Sequence, residues 1–248
     1  MTTEILYRRN TVLEALRGHR RELIRLWVQE GVSHKETAAI LTAARERHIP
    51  IRTAPKQHLT RLAKDSHHQG VVLEAGPYQY STIPDILSLA HQRREDPLLL
   101  LLDLLHGPQN IGSLLRTAEI VGVHGVIIQN RRAPDITPTV VNYAAGATEH
   151  LLIAQVTNLV QSMRQLKEAN IWLVGLDIAP SAKLLGEIDL NIPLGLVVGH
   201  EGGGLRRLVR ENCDMLLQLP MRGHVESLNA AIAGSIALYA AWQARDFQ

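Results

Sequence analysis

The 248-residue chain has one cysteine, one phenylalanine and no apolar run near the roughly 18–20 residues that a bilayer-spanning helix requires. A single cysteine, Cys213, excludes an internal disulfide and any metal site built from several thiolates. It stands between Asn212 and Asp214 with no histidine beside it, and reads as a small structural residue. His67 and His68 are adjacent, so their side chains diverge, and no second ligand pair accompanies them; no metal is expected. Aromatic residues make up 4% of the chain, too few for a broad base-stacking platform on single strands. The opening MTTEILYRRN lacks the apolar core of a secretory signal. These absences point to a soluble, cytoplasmic protein with no membrane partner.

A 46% hydrophobic content supports an ordinary core. The net charge of +2 hides an asymmetry: residues 1–70 hold 13 Lys and Arg against 7 Asp and Glu, whereas residues 71–248 hold 13 against 17. A basic N-terminal part suggests a nucleic-acid partner, although a solvated basic surface would look the same.

Patterning divides the chain in two. Residues 1–75 read as a compact α/β unit: a helix over 10–16 with Asn10 as its cap, a strand over 23–28, helices over 34–47 and 55–64, and a strand from Val71. Gly76-Pro77 marks a boundary, and 76–96 reads as a linker with one polar entry helix. From Pro97 the pattern changes to buried strands (98–102, 126–129, 151–156, 171–177, 196–198, 215–219) alternating with helices. That alternation predicts a mainly parallel sheet covered on both faces over 97–248.

Three stretches could carry chemistry. The first, Asp103 to Ala118, leaves a strand and enters a helix whose Ile111, Leu114, Leu115 and Ala118 should face the core. Asn110 and Arg116 lie off that stripe, as a helix cap and surface residue or as substrate contacts at the sheet rim. The second, Gly199-His200-Glu201-Gly202-Gly203-Gly204, is followed by Leu205-Arg206 rather than Lys-Ser/Thr, so it is no P-loop. It also comes too late in the chain to be a dinucleotide fingerprint. The third, Leu219 to Ala231, places Ser227, Leu228 and Asn229 before an alanine-rich helix, where Ser227 could be an N-cap and Asn229 a first-turn residue.

Together the three stretches resemble the SpoU family of RNA 2′-O-ribose methyltransferases. The match runs through Asn110, Gly112, Arg116 and Ala118; then Gly199, Glu201, Gly202 and Gly204; then Pro220, Met221, Gly223, Ser227, Leu228 and Asn229. Arg9 to Leu16 and His68-Gln69-Gly70-Val71 are similar to the ribosomal-protein-like substrate-binding domain of the TrmH/RlmB branch. The resemblance implies S-adenosylmethionine as cofactor, a C-terminal trefoil knot, a homodimer and an RNA substrate, foremost a guanosine of 23S rRNA. A tRNA ribose, or a non-catalytic role in ribosome assembly, are the alternatives. It assigns catalysis to Arg116, Asn110, Glu201, Ser227 and Asn229. Cofactor contacts fall to Gly199, Glu201, Gly202, Leu219, Met221, Ser227 and Leu228. RNA contacts fall to Arg8, Arg9, Asn10, His68, Gln69 and Arg131. Two departures flank the motifs: His200 stands where many members have a smaller or amide residue, and Ala230-Ala231 replaces a valine-serine type pair.

Overall fold

The computed structural model describes residues 2–130, 135–200 and 202–247, the side chain of His34 excepted. Its elements run β1 (Glu4–Tyr7), α1 (Arg9–Arg17), β2 (Leu23–Gln29), α2 (His34–Glu46), β3 (Ile51–Ala54), α3 (Lys56–Ala63), β4 (Val71–Ala75) and α4 (Ile83–Arg93). There follow β5 (Leu98–Leu102), α5 (Pro108–Ile120), β6 (Gly125–Gln129), α6 (Pro138–Tyr143), β7 (Ile153–Val156) and α7 (Leu159–Glu168). The C-terminal third holds β8 (Trp172–Leu176), β9 (Lys183–Leu184), β10 (Leu194–Val198), α8 (Arg207–Asn212), β11 (Met215–Gln218) and α9 (Ala230–Ala244). They form two compact units.

In the second unit seven strands lie in the order β7-β6-β5-β10-β8-β11-β9, and every pairing is parallel. β5, β6 and β10 are buried along their whole length, so they carry unbroken apolar runs rather than alternation. Leu99, Leu101, Ile127, Val197 and Leu173 form the core with Met163 and Leu166 of α7. Ile86 of α4 is buried in that same core, so the segment expected as a linker contributes packing to this unit. On α5 the buried residues include the expected Ile111, Leu114, Leu115 and Ala118. Gly234 of α9 packs against Leu114 and Val198, where a Cβ would come within 3.0 Å of Leu114 Cδ1. Arg245 donates to the carbonyls of Asp96 (2.6 Å), Pro97 (3.2 Å) and Ile192 (2.6 Å), which ties the end of α9 to the start of the sheet.

The first unit runs to Gln79 and also takes in Ile136–His150, a stretch the sequence assigned to the C-terminal domain. Its sheet has the order β1-β4-β2-β3, with β4 antiparallel to both neighbours and β2-β3 parallel. A buried ion pair explains the inclusion of 136–150. Arg21 meets Glu149 at 3.1 Å, both side chains fully buried, and its guanidinium also reaches Glu4 (2.5 Å) and the Gly76 carbonyl (3.2 Å). Tyr78 completes the joint by donating to the Thr148 carbonyl at 3.1 Å.

Three local expectations change. The cap position of α1 is Arg8, at φ 74°, and Asn10 lies inside the helix. The cap position of α5 is Gly107, so Asn110 sits in the first turn. α9 is capped by Asn229 rather than Ser227. β1 has no alternating pattern, since Ile5 and Leu6 are adjacent, and is defined only by its pairing with β4.

Candidate active site

β10 ends at Val198 and the glycine loop begins. A Cβ on Gly199 would overlap the Gly204 carbonyl, so the loop can fold back on itself only with glycine there. Gly204 sits at φ +63°, the left-handed region, and donates its N–H to the His200 carbonyl at 3.1 Å. The loop leaves through Arg206, at the cap position of α8. Its backbone N–H donates to Asp103 Oδ2 (2.8 Å), its Nε to Asp103 Oδ1 (2.6 Å), and its guanidinium reaches Gln129 Oε1 (3.0 Å). Asp103 is fully buried at the end of β5. The sheet's C-terminal rim and the glycine loop are therefore bolted together by a charge-assisted contact.

Beside this loop lies a cleft of about 350 Å³, within the range of small-molecule sites. Gly199, Gly202, Leu219, Met221, Ser227 and Leu228 line it, so the structure gathers six of the seven expected cofactor residues on one wall system. Glu201 lies outside the described residues. The end of β8 adds Leu176, Asp177 and Ile178, which sequence reasoning missed. Ligands sit at the carboxyl rim of such sheets, but nothing in the sequence places β8 next to β10. Apolar walls, four glycines and a few polar groups fit a nucleoside carrying a short aliphatic tail.

Asn110 and Asn229 meet. Asn229 Nδ2 donates to Asn110 Oδ1 at 3.1 Å, while Asn229 Oδ1 accepts from the N–H groups of Ala231 (3.0 Å) and Ile232 (3.2 Å). One side chain thus caps α9 and links the starts of α5 and α9. Thr117 and Ser235 continue the seam at 2.9 Å. A second concavity, about 590 Å³, runs along it past Asn110, Ser113, Thr117, Asn229, Ile232 and Ile236. Ser227, Leu228 and Ala230 line the first cleft while Asn229 and Ala231 line the second, so successive residues at the start of α9 border both. Arg116 is exposed on α5 and lines neither. Asn229→Ala is expected to cost about 1 kcal/mol from the lost cap. Asn229→Asp keeps the cap acceptor and loses the amide donor to Asn110. Thermal unfolding should register only the first, and equal destabilisation by both would contradict this division of roles.

In the N-terminal unit two of the expected RNA residues, Arg9 and Gln69, form a clasp with Glu36. The Arg9 N–H donates to Gln69 Oε1 (2.9 Å), its Nε to the Gln69 carbonyl (3.0 Å) and its guanidinium to Glu36 (2.8 Å). His68 is 1% exposed; its Nδ1 accepts the Gly70 N–H at 3.1 Å and its Nε2 meets the Thr60 hydroxyl at 3.2 Å. Burial, followed by the charge of Lys56, holds its pKa below the usual imidazole value. His68 is accordingly a neutral internal strut and not a surface contact, a correction to its expected place. Arg8 and Gln69 both adopt positive φ, 74° and 56°, and backbone strain of this kind clusters at functional loops. Asn10 is exposed, and Arg131 lies outside the described residues. Among the described residues no three His, Cys, Asp or Glu side chains are grouped to hold a metal, and no helix is long and apolar enough to cross a membrane.

Residues 97–239 match the model of the SpoU rRNA methylase family, and residues 5–81 match that of the RNA 2′-O ribose methyltransferase substrate-binding domain. A protein of Bacillus subtilis strain 168, YacO, assigned to the TrmH family of tRNA/rRNA methyltransferases, is 39% identical over 96% of this chain and 94% of its own. A Staphylococcus haemolyticus protein with the same family assignment is 36% identical over 97% and 96%. In fold, the chain is similar to the SpoU methyltransferase AviRb of Streptomyces viridochromogenes, solved in complex with its cofactor AdoMet: TM-score 0.81, 24% identity, 99% of this chain and 92% of that one.

Proposed function

The chain belongs to the SpoU rRNA methylase family of RNA methyltransferases, and from that premise we propose that it moves a methyl group from S-adenosylmethionine to a ribose 2′-hydroxyl of 23S rRNA, at a guanosine. The observation that carries this reading is the convergence of the three motifs: six cofactor-motif residues on one cleft, and the Asn110–Asn229 bond joining the first motif to the third. A tRNA ribose is the second reading, favoured by the tRNA/rRNA assignment of the B. subtilis relative. Two measurements test the proposal. Calorimetry should show S-adenosylmethionine binding; no heat would leave only a non-catalytic RNA-binding role. Mapping 2′-O-methyl positions on rRNA and tRNA with and without the protein should show one site, in 23S rRNA, that depends on it. A dependent site in tRNA alone would move the assignment to the second reading.

When bound, the cofactor supplies an electrophilic methyl, so the protein's task is to hold the hydroxyl in line and favour its loss of a proton. Arg116 fits stabilisation of the developing alkoxide and its neighbouring phosphate better than proton removal, because a guanidinium presents a fork of hydrogen-bond donors and no acceptor. Glu201, Asn110, Ser227 and Asn229 would orient ribose and phosphate, with Gly199, Gly202, Leu219, Met221 and Leu228 wrapping the cofactor alongside Glu201 and Ser227.

Arg116 lines neither cleft of its own chain, yet the neighbouring face of α5 and α9 exposes Ile120, Ile232, Ile236 and Tyr239 at 41–54%. A second copy packed on that face would cover it and complete the site, which supports a homodimer. The placement of β10 between β5 and β8, with the loops of the first and second motifs leaving the adjacent strands β5 and β10, supports a trefoil knot at the C-terminus.

RNA binding is assigned to the N-terminal unit, and cytoplasmic location follows from an RNA substrate. The clasp of Arg9, Gln69 and Glu36, with the buried His68 beside it, would hold the shape that presents Arg8 and Asn10, with Arg131 adding a phosphate contact. Lys56 and Arg61, exposed on α3 around a shallow concavity, would add further contacts. Deleting residues 1–75 would strip their partners from 136–150, so point variants test the division of labour. Lys56→Ala with Arg61→Ala should weaken RNA binding and lower the slope of log affinity against log salt by about 0.7 to 0.9 per lost phosphate contact. S-adenosylmethionine binding should be unchanged. An unaltered slope would remove α3 from the RNA path.

A further inference from the structure

Asp177 takes no part in the three motifs, yet it is the carboxylate that the described walls of the cofactor cleft present. It stands just past the end of β8 and its side chain is 7% exposed. Both oxygens are fixed. Oδ1 accepts the Ile178 N–H at 2.8 Å, and Oδ2 accepts Arg210 Nε at 2.5 Å. Arg210 is itself on the cleft wall and lies at the end of α8, so the pair spans from sheet to helix beside the glycine loop. The loop closes directly onto the carboxylate: a Cβ on Gly204 would lie 2.9 Å from Asp177 Oδ1.

An ionised carboxylate accepts hydrogen bonds only, with about four lone-pair sites over two oxygens. Ile178 and Arg210 occupy two of them. The remaining capacity suits a neighbouring pair of donors. The rest of the described cleft is mainly apolar, with Gln218, Ser227 and His200 as its other side-chain polar groups. A nucleoside held there brings an apolar base and a vicinal diol whose two hydroxyls are donors. An acid at a strand end beside a glycine loop reads ribose hydroxyls in dinucleotide folds for the same reason. The geometry points to Asp177 as the residue that recognises the ribose diol of the cofactor, with Arg210 as the positioning residue that fixes its carboxylate. This assignment rests on the S-adenosylmethionine reading above and adds a specificity determinant to it: the site should reject deoxyribose forms of its ligand.

The test is binding, not turnover. Calorimetry of the full-length protein with S-adenosylhomocysteine and with its 2′-deoxy and 3′-deoxy forms should show at least one deoxy form bound about 10- to 100-fold more weakly, the range of a hydrogen bond to a charged group. In Asp177→Ala, S-adenosylhomocysteine should weaken by a similar factor and the discrimination should fall close to one. Asp177→Asn, which keeps the size and one acceptor, should retain part of it. Arg210→Gln should reduce discrimination and Arg210→Lys restore some, a pattern that loss of fold would not give. The wild-type comparison requires no variant to fold. Wild-type binding without discrimination overturns the inference alone, as does discrimination that survives in Asp177→Ala. Absence of any S-adenosylhomocysteine binding by the wild type overturns the cofactor reading together with it.

Discussion

Arg116→Ala is expected to slow single-turnover methyl transfer by about 100- to 1000-fold, the loss seen when one preorganised donor to a developing oxyanion is removed, with S-adenosylmethionine affinity unchanged. Both halves follow from placement. Arg116 is exposed on α5 and lines neither cleft, so its removal takes nothing from the proposed cofactor wall. The same placement leaves its guanidinium available to RNA and to a second subunit. Arg116→Lys keeps the charge and loses the planar fork, and should recover only a small part of the rate. A full rate in the lysine variant would reduce the role of Arg116 to charge alone; a full rate in the alanine variant would remove it from the reaction. Mixing Arg116→Ala chains with chains altered at Gly199 offers a sharper check. If the site is completed across subunits, the mixture should regain activity that neither variant has alone.

Arg21→Ala is expected to destabilise the protein by about 3–5 kcal/mol, the cost of leaving a buried charge without its partner. Arg21 and Glu149 are both fully buried, and the guanidinium additionally satisfies Glu4 and the Gly76 carbonyl. Burial holds the Glu149 carboxyl above its ordinary pKa, opposed chiefly by the charge of Arg21. The sign of the pH dependence follows. A carboxyl whose folded pKa is raised favours folding while it is protonated, below the unfolded pKa, and that contribution is lost as pH rises through the folded pKa. Removing Arg21 removes the chief opposing influence and pushes the carboxyl higher still. The deficit of Arg21→Ala against wild type should therefore be largest at neutral pH and shrink as the solution is acidified into the carboxylate range. Denaturant unfolding of both proteins between about pH 4 and 7.5 checks this. A deficit independent of pH would mean that Glu149 is not the group left unpaired.

These two residues illustrate different degrees of legibility. Arg116 was singled out because it lies off an apolar stripe that the helix period makes visible, and because its neighbours match a family motif. Arg21 could not be singled out: its partner is 128 positions away, and an arginine in the Arg20-Arg21-Glu22 run before a strand is indistinguishable from a surface charge. Asp177 was hidden in the same way. The sequence marks it as the residue after an apolar run, but only the strand order puts that run beside β10 and opens its end to the cleft. Ser227 was visible as a capping type and Asn229 as a first-turn residue. Asn229 takes the cap instead, accepting from Ala231 and Ile232, and its amide also reaches Asn110, a contact 119 positions apart. His68 carried a motif and an exposed-looking composition around it, yet its ring is buried and bonded at both nitrogens.

By itself the sequence determined the α/β class, the buried parallel strands, the core stripe of α5 and the three chemical stretches. Each of these is written in short-range periodicity or in residues within a dozen positions of one another, where helix and strand geometry alone dictate which side chains share a face. Tertiary structure decided the strand order, the assignment of Ile136–His150 to the N-terminal unit, the meeting of Asn110 with Asn229 and the entry of Asp177 into the cleft wall. Those outcomes depend on packing and on pairing of polar groups far apart in the chain, such as Arg21 with Glu149 and Arg206 with Asp103. Such pairs are selected by the low dielectric and close packing of the folded interior, which exist only once the distant segments have come together.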